Sequence, residues 1–342
     1  MNKQIGFLLL IWLLAASPAH SKDLVIVVKI SGSINPAVAE YISHEISQAN
    51  ADQEALIVLH MDTPGGLDTS MRQIIKKIQG SQVPVASFVA PSGSRAASAG
   101  TFITIASHIA AMAPGTNIGA AHPVNLMGGG GEGGQAKTME QKVVNDAAAY
   151  IRSLAELRNR NAHWAELAVV KSVSISAEEA MRLNVIDLIA GDVKALVLAI
   201  DGREVQVASG SVTLKTGNLQ IVHHEMNPRQ RFLDLISNPN VAYILMMLGM
   251  VGLYFELSNP GLVLPGVIGA ISLILALYAM QTLPINYAGL LLIVFGVILF
   301  IAEISIMSYG LLSVSGVISI FLGSTMLIDS EDPALQISRA IL

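Results

Sequence analysis

No cysteine occurs in the 342 residues. That excludes disulfides, thiol nucleophiles and cysteine metal sites, and it leaves the redox compartment open. Charge is scarce too: charged residues make up 13 % of the chain and hydrophobic ones 52 %, too apolar a balance for an ordinary soluble domain. The net charge of −5 comes with no basic stripe, which argues against a nucleic-acid partner. His44, His60, His108, His163, His223 and His224 show no metal-ligand spacing, and the adjacent pair His223-His224 diverges on a strand. No metal or other cofactor is implied. The glycine-rich stretch Met127 to Gly134 lacks the Gly-Lys-Ser/Thr ending of a phosphate-binding loop, so it reads as a flexible flap or linker instead.

The charge that is present is unevenly spread. Lys22 to Arg231 has the composition of a soluble globular domain, whereas Val241 to Ile328 is almost uncharged. Apolar runs at about Val241 to Tyr254, Val263 to Met280, Tyr287 to Ile301 and Leu311 to Leu327 read as membrane spans. Some are short for a span, so three or four crossings are both open. At the N-terminus Lys3, the apolar run Ile5 to Ala16, and small residues at Ala19 and Ser21 have the pattern of a signal peptide cleaved near Ser21. An uncleaved anchor is the alternative. The loops between spans carry no Lys or Arg to orient them. Arg229 and Arg231 weakly favour a cytoplasmic soluble domain, but the signal peptide places it on the outer side and carries more weight.

Within the soluble part, strands and helices alternate. Strands are expected at Leu24 to Ile30, Ala55 to His60, Val83 to Ala90 and Ile109 to Ala113. Helices are expected at Asn35 to Gln48, Leu67 to Ile78, Ala99 to Ala106 and Thr138 to about Arg158. Ser176 with Glu179 has capping-box spacing for a helix to Leu183. Asp201-Gly202 reads as a turn between strands Leu196 to Ile200 and Glu204 to Val207. This alternation is an α/β pattern with parallel strands, and periodicity alone allows a spiral of β-α turns or a doubly wound sheet.

Two turns carry the chemistry. Pro91-Ser92-Gly93-Ser94-Arg95-Ala96-Ala97-Ser98-Ala99-Gly100 joins a strand to a helix, so Ser98 lies where free amides and the helix dipole can stabilise an oxyanion. Asp62-Thr63-Pro64-Gly65-Gly66 ends another strand, and its glycines permit close backbone approach. Ser98 is the candidate nucleophile, with Gly65, Gly66 and Ala99 as oxyanion amides. A serine needs a base. Lys142 lies beside the apolar face of a helix, where partial burial would free its lone pair, although an ion pair with Asp146 four residues on is a simple alternative. His122 needs no such tuning, or it merely satisfies a loop carbonyl. Lys137 is a weaker third candidate. Arg95 either recognises substrate or holds the turn through a carboxylate.

The motifs Asp62-Thr63-Pro64-Gly65-Gly66, Arg95 to Gly100 and Asn117-Ile118-Gly119-Ala120-Ala121-His122-Pro123, with Tyr254 to Gly261 in the apolar part, resemble those of the NfeD membrane-bound serine proteases. The resemblance implies an α/β fold of the ClpP/crotonase type, a spiral of β-α turns, followed by an all-α transmembrane bundle. It implies a Ser98–Lys142 dyad, with His122 in the place of the histidine base of soluble ClpP proteases. It further implies a stomatin-like membrane protein as partner or substrate, cut in an apolar segment, and a homo-oligomer. The expected organisation is a signal peptide over 1–21, a protease domain over 22–228 and a juxtamembrane segment over 229–239. A transmembrane region over 240–329 and a tail over 330–342 follow. The protein is thus expected in the inner (plasma) membrane, multi-pass, with its catalytic domain on the periplasmic or extracellular side. Longer family members carry an OB-type barrel after the spans, and the sequence to Leu342 shows none, which suits a shortened form or a fragment. A crotonase-type acyl-CoA enzyme and a non-catalytic membrane scaffold are the rival readings, and export argues against the first.

Overall fold

Runs of Val, Ile and Leu uninterrupted by polar residues form strands buried on both faces, and amphipathic segments between them form the crossover helices. The structure, a computed structural model, describes residues 24–123, 134–259, 261, 263–280, 285–306, 308–328 and 337. The expected signal peptide, the glycine stretch over 128–133, the side chain of Lys137 and nearly all of the tail lie outside those residues.

The soluble part begins with β1 (Leu24–Ser31), α1 (Pro36–Asp52), β2 (Leu56–Asp62), α2 (Asp68–Gln79), β3 (Val85–Val89), β4 (Arg95–Ala97) and α3 (Ala99–Ala106). It continues through β5 (Ile109–Met112), β6 (Asn117–Gly119), α4 (Gly134–Leu157), α5 (Ala162–Val170), β7 (Ser174–Ser176), α6 (Ala177–Arg182) and β8 (Leu188–Ile189). The last elements are α7 (Val193–Ala199), β9 (Glu204–Val207), β10 (Gly210–Thr213), β11 (Gln220–His224) and α8 (Pro228–Ile236). A six-stranded parallel sheet runs β11-β1-β2-β3-β5-β8, and a small second sheet runs β4-β6-β7. Single bridges Ile34↔Gly66 and Thr63↔Ala96 extend the second layer toward the earlier turns. Each turn of chain therefore leaves the main sheet, touches the second layer and enters a helix. That is the spiral, and it decides against a doubly wound sheet.

One expectation fails. Leu196 to Ile200 is not a strand but belongs to α7 and its C-cap. The side chain of Asp192 accepts from the Ala195 amide at 2.7 Å and starts the helix. Leu196, Val197 and Ile200 then bury one face against the sheet. A short apolar run does not by itself tell strand from helix; the cap does. The hairpin here is β9-β10. The capping box at Ser176 and Glu179 forms as expected, with both of its hydrogen bonds made.

The C-terminal part is α9 (Pro239–Ser258), α10 (Val263–Met280), α11 (Tyr287–Ser305) and α12 (Leu311–Leu327). The first two are long and apolar enough to cross a membrane, and the others are apolar helices of similar build. They pack as two hairpins, α9 with α10 and α11 with α12. Both repeat one plan. Gly249 precedes Glu256 by seven residues as Gly296 precedes Glu303, and Gly266-Val267-Ile268 returns as Gly316-Val317-Ile318. Glu303 accepts from Ser308 Oγ at 2.6 Å and from the Gly310 and Ser313 amides at 3.1 and 3.0 Å, so it caps the start of α12.

Candidate active site

The second layer of the spiral brings three turns together. The Thr63 amide donates to the Arg95 carbonyl at 2.8 Å, and the Ala97 amide to the Thr63 carbonyl at 3.1 Å. On the other flank the Ser98 amide donates to the Gly119 carbonyl at 3.1 Å. The segments 62–66, 95–99 and 117–119, separate in sequence, thus form one ladder with Ser98 at its end.

Ser98 has φ +50° and ψ −117° and serves as the N-cap of α3 without giving its side chain to the cap. For a residue with a Cβ this conformation is sparsely populated and costs on the order of 1–3 kcal/mol. The ladder and the Ser98 carbonyl, which accepts from the Thr101 amide at 2.9 Å, hold it there. Such a strand-to-helix elbow leaves the hydroxyl free at a helix N-terminus. Among the described residues Ser98 Oγ makes no hydrogen bond.

The three candidate oxyanion amides differ. The Gly65 amide donates to Thr63 Oγ1 at 3.1 Å. Those of Gly66 and Ala99 have no acceptor among the described residues. The missing side chain of Gly66 makes room for chain rather than for substrate: a Cβ there would lie 2.3 Å from the Ile34 carbonyl oxygen.

Thr101, to which no sequence motif pointed, pins the elbow from below. Its buried hydroxyl reaches the Ala96 and Gly119 carbonyls at 2.9 and 2.8 Å and accepts from the Gly119 amide at 3.2 Å. A threonine among apolar residues just inside a helix start was the only available signal. Asp62 opens one of the motifs, but the motif gave it no role of its own. Its Oδ1 accepts from the Arg95 amide at 3.1 Å, so a carboxylate does hold this turn, but through the backbone rather than through the guanidinium.

His122 is half-buried, and its Nδ1 lies 2.8 Å from the Val169 carbonyl oxygen. A carbonyl only accepts, so Nδ1 carries the proton and Nε2 of the neutral ring is bare. Lys142 is exposed, in the first half of α4. Asp146, its expected ion-pair partner, binds Arg72 Nη2 instead at 2.6 Å. The helix is set against α3, which Ser98 caps, by Tyr150 stacked on Phe102, 6.1 Å between centroids and 27° between planes. Neither Lys142 nor His122 is hydrogen-bonded to Ser98 among the described residues. The described residues hold no cluster of metal-ligating side chains.

Known proteins share this arrangement. The family model for the NfeD1b N-terminal domain matches residues 24–209, and that for the NfeD integral membrane domain matches 240–342. The membrane-bound protease PH1510 of Pyrococcus horikoshii is 35 % identical over 327 residues, which are 95 % of this chain and 74 % of that protein. The membrane protein NfeD1b of Bacillus subtilis is 27 % identical over 322 residues, 89 % of this chain and 68 % of the other. Among solved structures, 1510-N, a membrane protease specific for a stomatin homolog from P. horikoshii, has a TM-score of 0.55 at 33 % identity. It covers 64 % of this chain and 100 % of its own. A lysine-to-alanine variant of 1510-N with a substrate peptide gives 0.57 at 34 % identity, over 63 % and 98 %. The ClpP-like spiral followed by apolar helices, expected from the motifs, is the fold found.

Proposed function

Because the chain belongs to the NfeD family, we propose that it is a membrane-anchored serine endopeptidase that cuts an apolar segment of a stomatin-like membrane protein. The observation that carries this reading is Ser98, held in a costly backbone conformation at the start of α3, where among the described residues its hydroxyl and the Gly66 and Ala99 amides of its flanking turns make no hydrogen bond. Strain of this kind persists where function needs it. In support, PH1510 is a protease and 1510-N is specific for a stomatin homolog.

The peptide carbonyl sits at the mouth of the elbow, with its oxygen toward the Gly66 and Ala99 amides. Lys142 Nζ, neutral, takes the proton of Ser98 Oγ as that oxygen attacks, and returns it to the leaving amine. Water then repeats the sequence on the acyl-enzyme. In the free enzyme Lys142 faces solvent; substrate laid across both the base and Ser98 excludes that water and desolvates the amine. His122 is the alternative base, favoured by its bare Nε2. The catalytic domain, over 22–228, lies on the periplasmic or extracellular face of a multi-pass bundle over 240–329, and the chain works as a homo-oligomer.

Ser98→Ala should abolish cleavage of an apolar peptide, and a fluorophosphonate probe should label the parent chain but not this variant. Lys142→Ala should eliminate turnover, with parent activity still rising above neutral pH, while His122→Ala only weakens it. The reverse pattern, with a plateau near pH 6.5, the ordinary histidine value, would transfer the role of base to His122. Undiminished cleavage by Ser98→Ala would remove Ser98 from the mechanism, whereas a parent chain that neither cleaves the peptide nor takes the probe would leave a scaffold or a crotonase-type enzyme.

A further inference from the structure

Arg72, on α2, lies outside every motif of the site, yet it touches the helix that carries Lys142 in two places. Its Nη2 donates to Asp146 Oδ2 at 2.6 Å, and its Cζ stands 4.4 Å from the centre of the Tyr150 ring. Its Nε meanwhile donates to Asp68 Oδ1 and Oδ2 on its own helix, at 3.1 and 2.9 Å. The fork is thus fixed before it crosses to α4. Tyr150 in turn stacks on Phe102, one helical turn beyond Ser98. Lys142, Asp146 and Tyr150 follow one another at spacings of four, so they share one stripe of α4. Arg72 grips the two of them that lie beyond the lysine.

The charges explain why this grip matters. Asp146, four residues from Lys142, is the carboxylate that the lysine would otherwise take as a counter-ion. A paired lysine stays protonated, and a protonated lysine accepts nothing. Among the described residues the titratable groups around this stretch of α4 are Asp68 and Arg72 on α2, His163 and Glu166 on α5, and Glu140, Asp146, Tyr150 and Arg152 on α4 itself; burial raises the pKa of the Tyr150 phenol, against the opposing pull of Arg72. Glu166 is held by Arg152 at 3.1 Å, and α3 contributes none. Burial works against the Arg72 charge, but Asp68 and Asp146 outweigh it and raise its pKa, so the guanidinium keeps its charge.

We propose that Arg72 is a positioning residue of the reaction: it fixes α4 against the nucleophile helix and, by holding Asp146, denies the Lys142 amine its nearest counter-ion. This rests on the reading of Lys142 as the base. An exposed pair of this kind adds little to stability, so its consequence should show in kinetics and in pH dependence.

The test uses the full chain in detergent and an internally quenched apolar peptide, with kcat and KM followed from pH 6 to 10. Arg72→Ala should lower kcat roughly ten- to hundredfold, as a misplaced base does, with KM little changed. It should also move the acid limb of the profile up by about 0.5 to 1 pH unit, because Asp146 is released to Lys142. Adding Asp146→Asn should return the limb to its parent position, since no carboxylate is left to pair. Arg72→Lys, which keeps the charge and loses the fork, should fall between. Circular dichroism and thermal melting check that each variant is folded. An Arg72→Ala limb that stays in place, or one that Asp146→Asn does not restore, reduces Arg72 to a brace and overturns the proposal. Lys142→Ala is run in parallel. If it remains active, the Ser–Lys reading itself fails; if it is dead while the Arg72→Ala limb stays put, only the inference about Arg72 fails.

Discussion

Single side chains divide here into those whose roles follow from neighbours in sequence and those whose roles do not. Ser98 is of the first kind: a serine between a strand and a helix is legible as an elbow. His108 is of the second. It is buried, Nδ1 accepts from the Val85 amide at 3.1 Å, and Nε2 has no partner. Burial first, then Arg158 and Arg160, push its imidazole down from 6.5 to about 3. A group with a depressed folded pKa stays neutral while folded and takes up a proton on unfolding. Its contribution to stability is therefore complete above about pH 6.5, and it is lost as pH falls toward 3, by about 1.4 kcal/mol per unit. His108→Asn keeps an acceptor for Val85 and removes the titration. Urea unfolding at pH 7 and pH 5, read by the fluorescence of the buried Trp164, should show a loss of about 2 kcal/mol in the parent and a much smaller one in the variant. Equal losses in both would remove His108 from the acid response.

At the scale of elements, caps and periodicity located most helices well. The helix expected over Ala99 to Ala106 has those limits, and α10 and α12 run as expected. α7 was missed because five apolar residues fit either period, and its Asp192 cap lies outside the run. What periodicity does not tell is which faces of the apolar helices meet. Glycines decide that. A Cβ at Gly249 would lie 2.5 Å from Leu273 Cγ and 3.0 Å from the Gly269 carbonyl oxygen, and one at Gly296 would lie 2.8 Å from the Gly316 carbonyl oxygen. Close backbone approach is what holds helices together where lipid offers no hydrophobic drive. Gly249→Leu should therefore split α9 from α10 and lower the melting temperature in detergent, and Gly296→Leu should do the same to the other hairpin. Leucine at the exposed Val267 of α10 should change little. Indifference of the melt to both glycine substitutions would mean that the hairpins are held some other way.

Across the whole molecule, the candidate site stands against the apolar bundle. Leu67, next to Gly66, packs on a cluster that includes Ala242, Tyr243, Met246, Met280 and Ile293, all at one end of the four helices. Asn35, which caps α1, donates to Asp234 Oδ1 of α8 at 2.7 Å. The turn that carries Gly66 and Leu67 is thereby set toward the apolar helices, as the proposed cleavage of a segment that emerges from the bilayer would need. The absence of cysteine makes this testable with one label. Leu67→Cys carrying an environment-sensitive fluorophore, in vesicles, should be quenched by lipids spin-labelled near the headgroup. A label as solvent-exposed and unquenched as free dye would lift the site away from the surface.

The sequence by itself determined the β-α alternation, the apolar C-terminal part and the elbow at Ser98, because caps, turn residues and periodicity act over a few positions. Only the tertiary structure decided which partners the polar groups take. It gave the Gly65 amide to Thr63 and left the Gly66 amide free, and it turned Asp146 from Lys142 to Arg72, 74 residues away. It also set Thr101 beneath the ladder and Leu67 against the bundle. These choices depend on which turns of the spiral stack on one another. That stacking is fixed by burial of the whole sheet and its helices, a sum over distant residues that no local pattern carries.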